Sequence, residues 1–408
     1  MERAVNCEMS TTAPGTMAYS DEVTKALIEF RRDLHRHPEL SLQEFETTRR
    51  IATFLQAHGV EPLNYPLKTG VLAAIHGKHP GGAIAVRADI DALPIEEQTG
   101  LPYRSTIPGC MHACGHDFHT ASVMSALLQT KALAEGETSF AGTVVFVFQP
   151  AEEAGNGADS IVDCGVFEDY NVGAIIGAHN NPLLETGYIG VRSGALMASV
   201  DEFKIVIRGV GGHAAIPDRT VDPIVVGSNI VGGLQHIVSR TVSPLDSVVV
   251  TIGTFHAGTA NNIIPSEAVL EGTIRCLGTH TRQAAEDRLR KFVTDSAEAY
   301  GAVAEIEFEH VLPGVVNDPH VTDLVREAAR EVVGSDRVVE AEPSLGGEDF
   351  SLYGRKVPGC FFWVGTGRSD GTSYGWHHPQ FDVDDAMIPV AGQVFTQAAQ
   401  DYLRNLGR

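Results

Sequence analysis

Between Met111 and His119 the chain gathers three imidazoles, a thiol and a carboxylate: His112, Cys114, His116, Asp117 and His119. Thiolate, imidazole and carboxylate are the usual ligands of Zn²⁺ and related borderline metals. Any one of these histidines reads equally well as a surface residue at a capped helix start; it is their density that favours a metal site. Glu152-Glu153 is a second signal. Adjacent carboxylates repel, so placing both at a sheet edge is costly unless a cation compensates. One could then hold metal while the other takes a proton from bound water. An isolated Glu-Glu is more commonly a solvated pair, but Gly155 and Gly157 follow at once, which suits a tight active-site loop. Trp376-His377-His378-Pro379 adds two imidazoles, with Gly346-Gly347-Glu348-Asp349 upstream; they count only if the fold returns them to the same edge.

A separate polar island, Gly209-Val210-Gly211-Gly212-His213-Ala214-Ala215, is joined by Asn261-Asn262-Ile263-Ile264-Pro265 and Arg275. Its glycines do not follow the Gly-x-Gly-x-x-Gly spacing of a dinucleotide site. Taken alone, a histidine among glycines is more often structural than catalytic. Gly367-Arg368-Ser369-Asp370-Gly371 matches the serine-hydrolase elbow after a strand. A polar loop and Pro379 follow, however, where the elbow needs a helix.

The elements that must position these groups are legible from apolar runs. Buried strands are expected at Val71–Ile75, Ala83–Ala88, Thr143–Phe148 and Gly173–Ala178, with a helix over Thr120–Ala134. Three of these strands run into ionisable residues: Asp89 and Asp91, Glu152 and Glu153, and His179. In open α/β sheets the ligand crevice lies at the carboxyl ends of the strands. Upstream, Ser20 precedes an amphipathic helix marked by Val23, Leu27, Phe30 and Leu34, and Ser41-Leu-Gln-Glu44 reads as a capping box. From about Ala198 the pattern changes to longer strands, Glu202–Arg208, Ser247–Phe255, Ala268–Arg275 and Ala304–Glu309, with helices over Asp222–Val238 and Arg282–Ala299. That β-α-β-β-α-β order is ferredoxin-like. After Pro313 the α/β style resumes with helix Pro319–Val333, strand Cys360–Val364 and helix Asp384–Arg404. The expected fold is α/β: a core with a mixed, largely parallel sheet flanked by helices, formed by 1–197 and 311–408, and an inserted α+β domain over 198–310.

Composition removes several function classes. The 408 residues carry 52 Asp+Glu against 30 Lys+Arg, a net charge of −22, which argues against nucleic acid or anionic lipid as a partner. With 43% hydrophobic residues the chain can bury a core, and no apolar run approaches the ~20 residues of a membrane span. The six cysteines form no Cys-x-x-Cys, so a disulfide scaffold is not expected. The segment to Tyr19 has no apolar core after Arg3 and reads as a frayed leader, with the cytoplasm as the default compartment.

Seven motifs together resemble the N-acyl-amino-acid amidohydrolases, the branch of the aminoacylase and carboxypeptidase metallopeptidases that includes hippurate hydrolases and auxin-conjugate hydrolases. They are Arg87-Ala-Asp89-Ile-Asp91-Ala-Leu-Pro94, Met111-His-Ala-Cys114-Gly-His116-Asp117, Gln149-Pro-Ala-Glu152-Glu153, Gly211-Gly-His213-Ala-Ala, Asn262-Ile-Ile-Pro265, Glu348-Asp349-Phe350 and His377-His-Pro379, and the likeness covers roughly residues 25–405. The resemblance implies two divalent metal ions (Zn, Mn, Ni or Co) held by Cys114, His116, Glu153, His179 and His377, with Cys114 bridging. It implies Glu152 as general base, Asp89 as a supporting acid, and His213 as the lid histidine that hydrogen-bonds the tetrahedral oxyanion. Asn262 and Arg275 would hold the substrate, Arg275 by its α-carboxylate. The implied substrate is an N-acyl-L-amino acid with an acetyl, benzoyl or related acyl group; dipeptides and N-acetyl-diaminopimelate are the alternatives. The inserted domain would be a lid and dimerisation domain, in a homodimer or a higher homo-oligomer.

Overall fold

The computed structural model describes residues 9–13, 16–137, 139–155 and 157–406. Cys7 and most of the expected leader lie outside the described residues; within that leader, Met9–Ala13 pairs antiparallel with Thr16–Tyr19 rather than fraying. The described chain clusters into two compact units. One holds residues up to Gly194, Val316–Glu342 and Leu352–Arg408; the other holds Ala195–Val315 and Pro343–Ser351. The second unit thus takes a short segment, 343–351, from outside the 198–310 span of the expected insert.

The first unit is built on a seven-stranded mixed sheet. Its strands are β1 (Val71–His76), β2 (His79–Asp89), β3 (Ala141–Gln149), β4 (Val172–Glu185), β5 (Ile189–Val191), β6 (Val338–Glu340) and β7 (Gly359–Gly367). They lie in the order β6-β5-β7-β4-β2-β3-β1. The central neighbours β3, β2, β4 and β7 run parallel; β1 against β3, and β5 against β7, are antiparallel. Both faces of the centre are covered, so these strands read as continuous apolar runs: Val144 to Phe148 of β3 have no exposure at all. The three-residue strands β5 and β6 are too short to show a period in the sequence.

The longer helices of this unit are α1 (Asp21–Arg36), α2 (Phe45–Ala57), α3 (His116–Glu135), α4 (Pro319–Val333) and α5 (Met387–Leu406). Ser20 caps α1 by accepting from the Val23 N–H, and Val23, Leu27, Phe30 and Leu34 are its buried stripe. The expected capping box is a misreading. The helix begins at Phe45 with no side-chain cap, because Ser41 donates to Asp91 Oδ2 (2.7 Å) and Glu44 accepts from Thr69 Oγ1 (2.9 Å) and the Ala151 N–H (2.8 Å). Helix α3 is buried on every side from His116 to Thr130. It packs against α5 so closely that a Cβ on Gly392 would meet Ser125 Oγ at 2.2 Å.

The start of α3 is anchored electrostatically. Arg31, with no exposure, sets Nε 2.6 Å from Asp117 Oδ2 and Nη1 3.2 Å from Asp385 Oδ1. His35 Nδ1 lies 2.8 Å from the same Asp117 oxygen. Burial opposes the Asp117 charge, but Arg31 and His35 outweigh it and hold the carboxyl well below its ordinary range.

The second unit is a four-stranded antiparallel sheet in the order Val248–Ala257, Glu267–Cys276, Ser199–Arg208, Val303–Leu312. Helices Pro223–His236 and Thr279–Ala299 supply Val226, Ile230, Leu234, Leu289 and Val293 to its core. The connectivity and strand order are those of the ferredoxin-like arrangement.

Replacing Arg31 by Met leaves buried Asp117 without its guanidinium partner and with only His35 beside it, and should cost about 3–5 kcal/mol of stability at neutral pH. Because the folded Asp117 pKa is depressed, its stabilisation is present above the unfolded value of about 4 and is lost as pH falls. The gap between wild type and Arg31→Met in denaturant midpoint should therefore narrow below about pH 4; a pH-independent gap would contradict this role.

Candidate metal centre

The sheet delivers its polar residues to one place in the first unit. Strand β2 ends at Asp89, with Asp91 two residues on; β3 ends at Gln149 and leads to Glu152 and Glu153; β4 carries His179. Helix α3 starts at His116, just past Cys114. The backbone is held in uncommon conformations at these points: Ala151 has φ 53° and His377 φ 63°. Each such residue costs about 1–3 kcal/mol and persists only where its surroundings over-determine it. Gly115 (φ 85°) turns the chain into α3, and a Cβ there would meet Asn180 Nδ2 at 2.5 Å.

Cys114 Sγ lies 3.3 Å from His179 Nε2. His116 Nε2 lies 3.8 Å from Glu153 Oε1 and 3.9 Å from Glu152 Oε2. His377 Nε2 lies 3.3 Å from Glu153 Oε1, whereas His378 stacks on Tyr374 with ring centroids 4.4 Å apart. Cys114 belongs to two ligand-sized groups, one with His116 and His179 and one with Glu153 and His377; His116 also groups with Glu152 and Glu153. Donor atoms within each group lie within 4.8 Å of one another.

The chemistry of these donors fits cations. His116 Nε2 and Glu153 Oε1 are buried and have no hydrogen-bond partner among the described residues, a costly arrangement unless something else binds them. His179 gives its Nδ1 proton to the Asn180 carbonyl (2.8 Å), which leaves Nε2 as a lone pair. Burial, and after it the His119 ring, keeps His179 well below the usual imidazole range. Burial and then the carboxylates of Glu153, Glu152 and Asp89 push the Cys114 thiol well up. Its thiolate therefore needs positive charge beside it. Burial disfavours a charged His116, yet Asp89, Asp91 and Glu153 carry it up to about 10, so these carboxylates strongly favour positive charge here.

Two acids share the supporting role expected of Asp89. His116 Nδ1 lies 3.1 Å from Asp91 Oδ1 but 3.8 Å from Asp89. Asp91 also accepts from the Glu153 N–H (3.0 Å). Asp91 is the acid that orients His116, and its place two residues past the strand was its signal in the sequence. Asp89 instead binds His119 Nδ1 (2.6 Å) and Arg87 Nη1 (2.7 Å). Burial opposes the Asp89 charge, but His116, His119 and Arg87 outweigh it and hold the carboxyl well down. Ser369 sits exposed on a turn, and residues 368–386 run as turns and loop up to α5, so the elbow's helix does not follow.

In the second unit His213 pairs with Ile263 in a short antiparallel bridge, and the Ala214 N–H donates to the Asn262 carbonyl (3.1 Å). His213 Nδ1 accepts from the Ala215 N–H (3.0 Å), which puts the ring proton on exposed Nε2. Arg275 does not complete this island. Arg208, which leads to His213, is opposite Glu267, whereas Arg275 is opposite Val200 at the other end of the same strand pair. The separation is a strand length, roughly 27 Å.

Comparison with known proteins agrees with this geometry. Residues 85–401 match the model of peptidase family M20/M25/M40. The chain belongs to that family. N-acetylcysteine deacetylase of Bacillus subtilis is 49% identical over 93% of this chain and 97% of its own length. The IAA-amino acid hydrolase ILR1-like 4 of Arabidopsis thaliana is 37% identical over 96% of this chain and 89% of its own. The crystal structure of the Bacillus subtilis YXEP protein, a dinuclear metal-binding peptidase from the M20 family, superposes with a TM-score of 0.84 at 44% identity, covering 94% of this chain and 99% of that one. As a member of the M20/M25/M40 family the chain is a metal-dependent amidohydrolase, and its donor groups together with the dinuclear relative support two divalent cations.

The sharing of Cys114 between two groups has a stoichiometric consequence. Metal analysis should find Cys114→Ser depleted of both cations, whereas His179→Ala and His377→Ala should each lose one and keep the other. Equal loss in all three would contradict a shared thiolate.

Proposed function

We propose that this chain hydrolyses the amide bond of N-acyl-L-amino acids, releasing a carboxylate and a free amino acid. One observation carries the reading: Glu152, only 9% exposed, sets its carboxylate against the His116–Glu153 edge of the donor cluster without being needed by either Cys114 group. The two cations, held by Cys114, His116, Glu153, His179 and His377, would supply Lewis acidity to the scissile carbonyl and lower the pKa of a bound water. Glu152 accepts the proton of the attacking water on its carboxylate and delivers it to the amide nitrogen as the C–N bond breaks. Asp91 keeps His116 in the required orientation, and Asp89 does the same for His119. His213 donates its Nε2 proton as a hydrogen bond to the oxyanion, and Arg275 pairs with the substrate α-carboxylate. The N-acetylcysteine deacetylase and the IAA-amino acid hydrolase, both named for acyl-amino acids, support this substrate class. No helix among the described residues is long and apolar enough to cross a membrane, and the five described cysteines are free, which supports the cytoplasmic reading.

An acyl-amino acid spans roughly 7 Å, two residues' worth of extended chain. One copy of the second unit cannot offer both His213 and Arg275 to a molecule that small. We therefore assign His213 and Asn262 to the site of a second copy, in a homodimer or higher homo-oligomer.

Glu152→Gln should lower kcat on N-acetyl- and N-benzoyl-amino acids by about 10²–10⁴-fold while metal content stays at the wild-type level. Near-normal kcat with metal bound would remove the base, and a preference for dipeptides across the same panel would move the substrate class. Mixing and reassembling Glu152→Gln with His213→Ala should restore activity that neither variant has alone. Failure to restore it, with mixed oligomers demonstrated, would place His213 in its own copy's site.

A further inference from the structure

We infer that Asn180 is a positioning residue that locks the Cys114 loop and the His377 loop into one centre. The inference rests on the metal-centre reading above. Asn180 follows His179 on β4 and has no exposure. Its side-chain Nδ2 donates to the Cys114 carbonyl (2.6 Å) and lies 2.9 Å from His119 Nε2. Its Oδ1 accepts from Trp376 Nε1 (3.2 Å), the residue before His377. Its backbone adds to the same junction: the N–H donates to His119 Nε2 (2.9 Å), and the carbonyl accepts from His179 Nδ1 and Trp376 Nε1 (3.1 Å). Residues 114, 179 and 377 thus come together around one amide.

The amide cannot be turned over or replaced by a carboxylate. His119 spends its Nδ1 proton on Asp89, so Nε2 is a lone pair that accepts from the Asn180 N–H and cannot be set against a second acceptor. The Cys114 carbonyl makes the same demand. Only the NH₂ end satisfies both, and only the oxygen end suits the indole N–H. Gly115 has no Cβ where one would strike this NH₂ group. Asn180→Asp keeps the shape but sets an oxygen against two acceptors. The Cys114 peptide is then free to shift, and with it the thiolate. Orienting partners of this kind are typically worth about 10- to 100-fold in metal affinity.

The test is a Co²⁺ titration of the full metal-stripped chain, read by dissociation constant and by thiolate-to-cobalt absorption, with thermal unfolding of each metal-free variant. Wild type should show the thiolate band and Cys114→Ser should lack it. Asn180→Asp should bind Co²⁺ about 10- to 100-fold more weakly with a diminished band. Trp376→Phe, which removes the indole donor and trims the ring packed on His179 and Trp363, should move affinity in the same direction by less. Wild-type affinity and an unaltered band in Asn180→Asp would overturn the proposal, as would a lowered unfolding midpoint with unchanged affinity, the mark of a merely structural residue. If Asn180→Asp does not fold, Trp376→Phe decides, and wild-type affinity there overturns the proposal. A band absent from wild type, or surviving in Cys114→Ser, would refute the metal centre itself rather than the role of Asn180.

Discussion

The structure turns on a charge imbalance taken out of water. Asp89, Asp91, Glu152 and Glu153 bring four carboxylates to one end of a sheet, around a thiol that is itself acidic once ionised. Arg87 answers Asp89, and the remaining carboxylates pull the His116 imidazole toward its charged form. Isolated buried charge is among the most expensive features a fold can carry, and it is tolerated only when paired or bound to metal. The orphaned donors His116 Nε2 and Glu153 Oε1 mark where the remaining positive charge belongs. Local backbone strain at Ala151 and His377 lies at the same place, so the fold spends stability to hold this arrangement open.

Much of the architecture exists to make that possible. Parallel strands buried on both faces end together, which sends side chains from three of them to one crevice. Helix α3, buried on all sides, fixes His116 at its first residue, and the Arg31–Asp117–Asp385 cluster pins that end in place. Within the ferredoxin-like unit, strand register sets the His213 loop and Arg275 at opposite ends of one strand pair.

The fold and the donor cluster were largely legible in the sequence, because both rest on residue types that cannot be hidden. Continuous apolar runs announced β1 to β4, and Pro319–Val333 has the bounds its spacing implied. What stayed illegible depends on direction rather than type. Ser41 and Glu44 carry the letters of a capping box, yet both side chains turn away to Asp91 and to Thr69. Asp89 and Asp91 are two residues apart and chemically identical, so only geometry shows which one faces His116. Asn180 gave no signal at all: its importance lies in which end of an amide faces which neighbour. Arg275 joined the His213 island on composition, and strand register parts them.

Every role proposed for this site requires that Cys114, His116, Glu153, His179 and His377 share two cations. Anomalous diffraction from crystals of the zinc-loaded protein, recorded on either side of the zinc absorption edge, tests it most directly. Two peaks are expected inside this cluster, both in contact with the Cys114 sulfur. A single peak, or two peaks bound elsewhere on the chain, would contradict it.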